Sequence, residues 1–347
     1  MRILYIDYQQ IRRYGQTHGN MVEKLTFGMI RNGHYMQNFS DRDIAAFEAP
    51  LGIRDLGWKR ANQRALEMVE AITPELIILG HCDRITNATV DAMRKISPHS
   101  LFAHCNCDPL FVPANVEQIK ARADVVDAIF VTTGKRELAQ FEGSRARTFF
   151  VPNPVDVAIE TLDNSQLTDL PIDLLFCSNA TKYTSRGKIV QYLKDAIDNE
   201  MVFHTYGSFG MPAVWGRDYD RVLAKTRMAL NLNRQEGHYW YSSDRMAQLA
   251  GNGILQFTSA QQRFDELLPP ETIVYFNDET DLLAKVREFH HDDARRKAWA
   301  ANTRDFFFRE LNSDLYARFM VEATFGQAFS HDYVWARDIN PDGSLVT

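Results

Sequence analysis

The sequence predicts an α/β protein: two doubly wound halves of similar size, followed by helices. Three observations carry that expectation. Short apolar runs alternate with amphipathic helical segments, a proline-rich stretch near the middle breaks the rhythm, and the alternation then resumes. The length of 347 residues agrees, because one core seldom organises so long a chain.

RILYIDY is apolar and short enough for a buried strand, and the loop QQIRRYGQTHG follows it. NMVEKLTFGMIRNGH places Met21, Val22, Leu25 and Met29 on one helical face, and Gly33 suits the stop. YMQNFS is the second strand, WKRANQRALEMVEAI a helix and ELIILG the third strand. NATVDAMRKI is a helix with Asn87 as its cap. SLFAHC, VEQIKARA and VDAIFVTT read as strand, helix and strand; a helix from near Gly134 then leads to the strand TFFVPN. The stretch PNPVDVAIETLDNSQLTDLP holds three prolines and several turn formers, and reads as a linker. Beyond it come the strand IDLLFCS, the helix SRGKIVQYLKDAI, the strand VFHTYG, the helix DYDRVLAKT and the strand MALNLN. ILQFTS and TIVYF are further strands, and three helical segments close the chain.

With 45% apolar and 24% charged residues the composition is that of a globular protein, and the net charge of −6 argues against wholesale nucleic-acid binding. Cys82, Cys105, Cys107 and Cys177 lack the spacing of a disulfide framework. No signal peptide and no run of 18 apolar residues is visible, so the expected setting is intracellular and reduced.

In such sheets ligands bind beyond the carboxyl ends of the strands, and two facing halves make a cleft. The segment YSSDRMAQLAGNGILQF, residues 241–257, follows one such strand end. With Ser243 as its cap, the helix start offers unpaired amides and a positive dipole end to an anion. Arg245 adds a bidentate donor, and Gln248 shares its face. Gly251 and Gly253 permit a positive φ or a close approach; an ordinary capped helix with a glycine stop explains the same letters. The loop SNATKYTSRGK offers Lys182 and Arg186, with Lys188 one turn further on; a solvated helix start is the plain alternative. YGQTHGNM brackets Thr17 and His18 between Gly15 and Gly19, as a glycine loop or a simple turn. In AHCNCDPLF, Asp108 is the first candidate for a proton-accepting base and His104 the second. A metal reading of His104, Cys105, Cys107 and Asp108 is disfavoured, since no second cysteine pair has zinc spacing. His81 and Asp83 occupy a similar strand end, where a cap or a satisfied histidine is the favoured reading. Trp215, Tyr239 and Tyr241 are read as packing first.

The order of these segments resembles the GT-B glycosyltransferases, and most closely the bacterial family 1/family 4-type branch with its spore-protein-like members. That branch carries Ser-x-Arg-x-x-Glu-x-x-Ala-x-Gly after a strand ending in Asn. Here Ser243, Arg245 and Gly253 match, Gln248 stands at the Glu place and Gly251 at the Ala place. FFVPNPVD and DELLPPETIVYFNDETDLLAKVREF are similar to further family segments. Glu236 lies near the first glutamate of the family 4 motif, but at a longer spacing from residue 248.

The resemblance implies a GT-B-like fold of two Rossmann-like domains: an acceptor-side domain at 1–155, a nucleotide-sugar domain at 156–310, and a helix with its tail crossing back at 311–347. It implies a glycosyltransferase acting on an acceptor hydroxyl, in synthesis of a bacterial surface polysaccharide such as lipopolysaccharide or of a glycolipid. Gly15, Thr17, Lys182, Arg186 and Tyr206 would contact the donor, together with Asn231, Ser242, Ser243, Arg245 and Gln248. Arg186 would steady the leaving group, beside Asp108 and His104 as catalytic groups. No metal and no cofactor beyond the nucleotide-sugar is expected, and no nucleic-acid partner. The expected location is the cytoplasm, with peripheral attachment to the inner membrane face left open. Asp108 as base suits inversion, whereas the family 4 likeness favours retention. A sugar-nucleotide 2-epimerase and a non-catalytic GT-B-like binding protein are the rivals; Gln248 in place of Glu feeds the latter.

Overall fold

Strands whose residues are apolar on both faces pair in parallel and are covered by helices. This happens twice in the chain. A computed structural model describes residues 1–11 and 20–337. It divides into one unit of Met1–Val151 with Ser313–Thr347, and a second of Pro152–Asn312.

The first unit holds β1 (Arg2–Asp7), β2 (Tyr35–Ser40), β3 (Leu76–Leu79), β4 (Leu101–Asn106), β5 (Ala128–Val131) and β6 (Arg147–Phe150). They form one parallel sheet in the order β2-β1-β3-β4-β5-β6. Its helices include α1 (Met21–Arg31), α2 (Asp41–Phe47), α3 (Arg54–Ile72), α4 (Asn87–Ile96) and α5 (Pro113–Ala123). Three details differ from the sequence reading. Helix α2 was not foreseen, being only 7 residues long. The cap of α4 is Thr86, whose hydroxyl accepts from the Thr89 amide at 3.1 Å; Asn87 is already helical and donates to Ala121 O at 2.7 Å. The segment after Gly134 is a 3-10 turn, Lys135–Phe141.

The second unit holds β7 (Ile172–Ala180), β8 (Phe203–Ser208), β9 (Thr226–Asn231), β10 (Leu255–Ser259) and β11 (Val274–Phe276). They too are parallel, in the order β11-β10-β9-β7-β8. Its helices are α6 (Ser185–Ile197), α7 (Gly216–Leu223), α8 (Asp244–Gly251), α9 (Glu279–His291) and α10 (Asp293–Glu310). One face of the sheet packs Leu174, Phe176, Leu230 and Phe257 beneath Val190, Val286 and Phe289. The other packs Leu175 and Ala229 against Leu223, Leu249 and Ile254.

The proline-rich stretch is not a free linker; it is built into the second unit. Val155 donates its amide to Leu311 O at 2.9 Å, and Asp156, Glu160 and Asn164 are buried. Asn164 donates to Leu223 O and Thr226 O, both at 2.8 Å. Turn-forming side chains here satisfy buried backbone carbonyls, which composition alone does not distinguish from solvation.

The last helix, α11 (Ser313–Phe325), belongs to the first unit. Its Phe319 is fully buried and meets Phe130 and Phe149 edge-on, with centroids 6.1 and 5.7 Å away. Gly28 lets α1 approach it: a Cβ there would lie 2.1 Å from Ser313 O.

Each sheet has one point where successive connections leave in opposite directions. In the first it lies between β1 and β3, in the second between β7 and β9. Such switch points open a crevice at the carboxyl ends of their strands.

Candidate functional site

In the second unit, β7 runs through Ser178, Asn179 and Ala180 into the loop before α6, and β9 ends at Asn231. The Thr184 hydroxyl caps α6 by accepting from Gly187 N at 3.2 Å. A Cβ on Gly187 would stand 1.8 Å from Thr181 O, so glycine lets the loop fold back over the helix start. Arg186 lies in that first turn, 7% exposed, and donates to the Asn179 carbonyl. Burial, and then the charges of Arg245 and Arg234, push its pKa down to about 10. It stays a cation at neutral pH, but one short of counter-charge.

Arg245, in the first turn of α8, converges on the same place. Its Nε donates to Asn231 Oδ1 at 3.1 Å and its Nη2 to Leu232 O at 2.7 Å. Burial lowers its pKa too, partly offset by Tyr219, Cys177, Tyr241 and Glu236. Among the described residues, neither Arg186 nor Arg245 forms an ion pair with a carboxylate. The nearby Glu236 is occupied otherwise, accepting from Asn233 N at 3.0 Å and Gln262 Nε2 at 2.9 Å, and burial raises its pKa. Two guanidinium groups and the amino ends of α6 and α8 thus stand at one switch point with little negative charge to balance them. Such a place suits an anion.

The other sequence candidates sort by what they touch. Ser243 is the N-cap of α8 by backbone position, but its hydroxyl donates to Asn231 Oδ1 at 3.2 Å instead of capping. Asn231 is 1% exposed and ties the helix start to β10 through Thr258 Oγ1 at 3.2 Å. It positions Ser243 and Arg245, and is not itself open to a donor. Ser242 is a correction of the same kind: it is fully buried, and its hydroxyl and carbonyl oxygens accept from Asn153 at 3.0 and 2.8 Å. Gln248 donates to Asp244 Oδ2 at 2.9 Å, one turn back, so its orientation is held by its own helix. Lys182 is exposed, its ammonium 5.3 Å from the Tyr183 ring centroid, while Tyr206 packs partly buried beside Cys177 and Tyr219. Gly251 serves packing: a Cβ there would meet that of Glu160 at 2.6 Å. Gly253 does take a positive φ, +66°. Gly15 and Thr17, with His18, lie outside the described residues.

In the first unit the switch point between β1 and β3 gathers groups that the sequence reading left apart. Asp108, after β4, is half-exposed, and its carboxylate lies 3.5 Å from His81 Nδ1, after β3. Asp7, the last residue of β1, accepts from Tyr5 OH at 3.0 Å and Tyr8 N at 2.5 Å. Burial raises its pKa, and the nearby His81 draws it back. Gly80 leaves room for this carboxylate, since a Cβ there would lie 1.9 Å from Asp7 Oδ2. His104 is a correction. It is 5% exposed, its Nδ1 meets Leu79 O at 2.8 Å, and burial pushes its pKa down to about 3. A seated, neutral imidazole of that kind is a poor base at neutral pH. The signal for His81 was its strand-end position; the pairing with Asp108 needs the sheet order. Among the described residues no group of three or more His, Cys, Asp or Glu side chains is arranged to hold a metal ion.

Comparison with known proteins adds the following. The family model of glycosyl transferase-like proteins matches residues 186–322, the segment that begins at Arg186. No curated protein sequence matches the chain. Among solved structures, Anabaena HepE in complex with UDP-glucose is similar at TM-score 0.63 and 12% identity, over 93% of this chain and 98% of that one. A sucrose-phosphate synthase from Thermosynechococcus elongatus matches at TM-score 0.64 and 12% identity, over the same shares. AviGT4, a glycosyltransferase involved in avilamycin A biosynthesis, matches at TM-score 0.58 and 13% identity, over 96% and 98%. Residues 186–322 match the glycosyl transferase-like family model, and the chain shares its two-sheet α/β fold with these solved glycosyltransferase structures.

Proposed function

We propose that the protein transfers a glycosyl group from a nucleotide-sugar to an acceptor hydroxyl of a bacterial surface glycan or its lipid-linked precursor. The observation that carries the donor half is the pair Arg186 and Arg245, desolvated and without carboxylate partners. A diphosphate supplies the missing charge. As the bond to the sugar breaks, charge grows on the departing phosphate, and a fixed guanidinium lowers the barrier without reorganisation. This is metal-independent chemistry in our reading. Solved relatives of this fold with UDP and UDP-glucose support a uridine donor. Gln248 keeps a carbonyl oxygen to accept from a ribose hydroxyl while its amide holds Asp244. Donor binding therefore survives the exchange of Glu for Gln, with a weaker, uncharged bond.

In the acceptor-side unit, Asp108 with His81 is the proposed proton acceptor. An imidazole beside a carboxylate can pass on the proton that the acceptor hydroxyl loses. Lys182 and Tyr206 are placed by this proposal at the rim of the donor site. The placement in the spore-protein-like branch, like the surface-glycan role, rests on the sequence resemblance alone.

The test is an incubation of the purified chain with UDP-glucose and a panel of other nucleotide-sugars, with glycan and lipid-linked acceptors. Acceptor-dependent release of the free nucleoside diphosphate, with a glycosylated product, is expected. An epimerised nucleotide-sugar without free diphosphate would make the protein an epimerase. Unchanged donors throughout would make it a binding protein.

A further inference from the structure

Asp7 is the group at the first unit's switch point that the proposed chemistry leaves without a task. It ends β1 and is buried. Ile6 pairs with Leu79 on β3, so Asp7 and Gly80 are the next residues on the two strands. Gly80 N donates to Ile6 O at 2.9 Å, which fixes the strand ends to each other. The Asp7 carboxylate lies across Gly80, in the space that a Cβ would fill. It is thereby set against the backbone step from Gly80 to His81.

Both carboxylate oxygens accept hydrogen bonds, Oδ2 from the Tyr5 hydroxyl and Oδ1 from the Tyr8 amide, which favours the ionised form. Tyr5 is a standing donor, because burial and then the charge of Asp7 keep its hydroxyl protonated. Burial raises the Asp7 pKa; the charge of His81 is the strongest influence against that rise, and the His81 amide adds to it. This attraction is mutual: an ionised Asp7 steadies a positive imidazole as much as the imidazole steadies Asp7. The other cation nearby, Arg42, is paired with Asp83 at 2.6 Å. Among the described residues no lysine or arginine forms an ion pair with Asp7. A buried carboxylate without such a partner is costly to keep, and stability alone does not account for it.

We propose that Asp7 is a positioning residue for proton transfer: it fixes the backbone at His81 and steadies the positive charge that forms on its imidazole. The inference rests on the reading of His81 with Asp108 as the proton acceptor. In that step the acceptor oxygen bonds to the anomeric carbon. The bond to the departing diphosphate breaks, its electron pair stays on the phosphate oxygen, and the hydroxyl proton moves to the imidazole. The imidazolium then has Asp108 on its half-exposed side, 3.5 Å from Nδ1, and the buried Asp7 at its base. Asp7 itself touches no substrate and takes no proton.

Kinetics of the full chain with UDP-glucose and the mixed glycan and lipid-linked acceptors test this, with Asp7→Asn, Tyr5→Phe, His81→Ala and Asp108→Asn side by side. Asparagine keeps the shape of Asp7, an oxygen for the amides and a group that can donate to the Tyr5 oxygen, but removes the charge. Asp7→Asn should lower kcat by at least about tenfold, while KM for donor and acceptor stays within about twofold. Its melting temperature should not fall, since an uncompensated buried charge is removed. Tyr5→Phe leaves the carboxylate but takes away its donor, and should lower kcat in the same direction by a smaller factor; it decides the matter if Asp7→Asn does not fold. Wild-type kcat in Asp7→Asn, or in Tyr5→Phe where that variant decides, with turnover lost in His81→Ala and Asp108→Asn, would overturn the role of Asp7 and leave the proton acceptor standing. Equal loss of kcat and donor affinity in Asp7→Asn would make Asp7 structural and overturn it too. Wild-type turnover in all four variants, or no turnover in the wild type, would remove the proton-acceptor reading and this inference with it.

Discussion

Arg186 shows how a residue acquires a role from its neighbours. In the sequence it is one of several cations in a loop. In the fold it is the one buried beside a second guanidinium, at the positive end of a helix. Asp108 is similar: the sequence nominates it by its place after a strand, and the fold adds His81 at 3.5 Å. If this pair accepts the acceptor's proton, Asp108→Asn should lower turnover by about tenfold to a thousandfold while the donor dissociation constant stays within about twofold. Steady-state kinetics with donor titration read both. His81→Ala should resemble it. Equal loss of turnover and donor affinity would point to a structural role for the pair. Ser242 and His104 show the converse. Their side-chain types suit binding or catalysis, but burial and committed hydrogen bonds remove them from it. Sequence shows residue type and spacing, whereas burial arises from contacts between distant segments, such as Asn153 with Ser242.

At the scale of elements most of the architecture was legible, because strands buried on both faces are continuous apolar runs. LIIL and AIFV contain no polar residue. What escaped was short or self-satisfying. Helix α2 spans too few residues to show a period, and residues 152–171 look like a linker because turn formers serve buried and exposed turns alike. Strand β4 carries a testable consequence of burial. His104 is held neutral with its pKa at about 3, while the unfolded chain protonates near the ordinary value. The unfolded state therefore binds more protons between those values, so this contribution is complete above about pH 6.5 and is lost as pH falls towards 3. At pH 5 the loss is about 2 kcal/mol. Denaturant melts of the wild type and His104→Gln at pH 7.5 and pH 5 should differ in slope, the variant losing less on acidification. The same acid loss in both would remove His104 as the source.

For the whole molecule, a net charge of −6 conceals local positive charge where the fold concentrates it. Each sheet reverses its winding once, and each reversal collects the chain's chemical groups: Asp7, His81 and Asp108 in one unit, Arg186 and Arg245 in the other. Fold class and the donor-side arginines follow from the order of segments; their mutual approach follows only from the strand order β9-β7-β8. The central claim is that these two guanidiniums hold the diphosphate of the donor. Calorimetric titration of the full chain with UDP tests it most directly, comparing the wild type with Arg186→Ala, Arg245→Ala and the double variant. Each single change should weaken binding by about 1–3 kcal/mol, and the double variant should bind at least as weakly as either. Wild-type affinity in the double variant, or no heat from the wild type at millimolar UDP, would contradict the account.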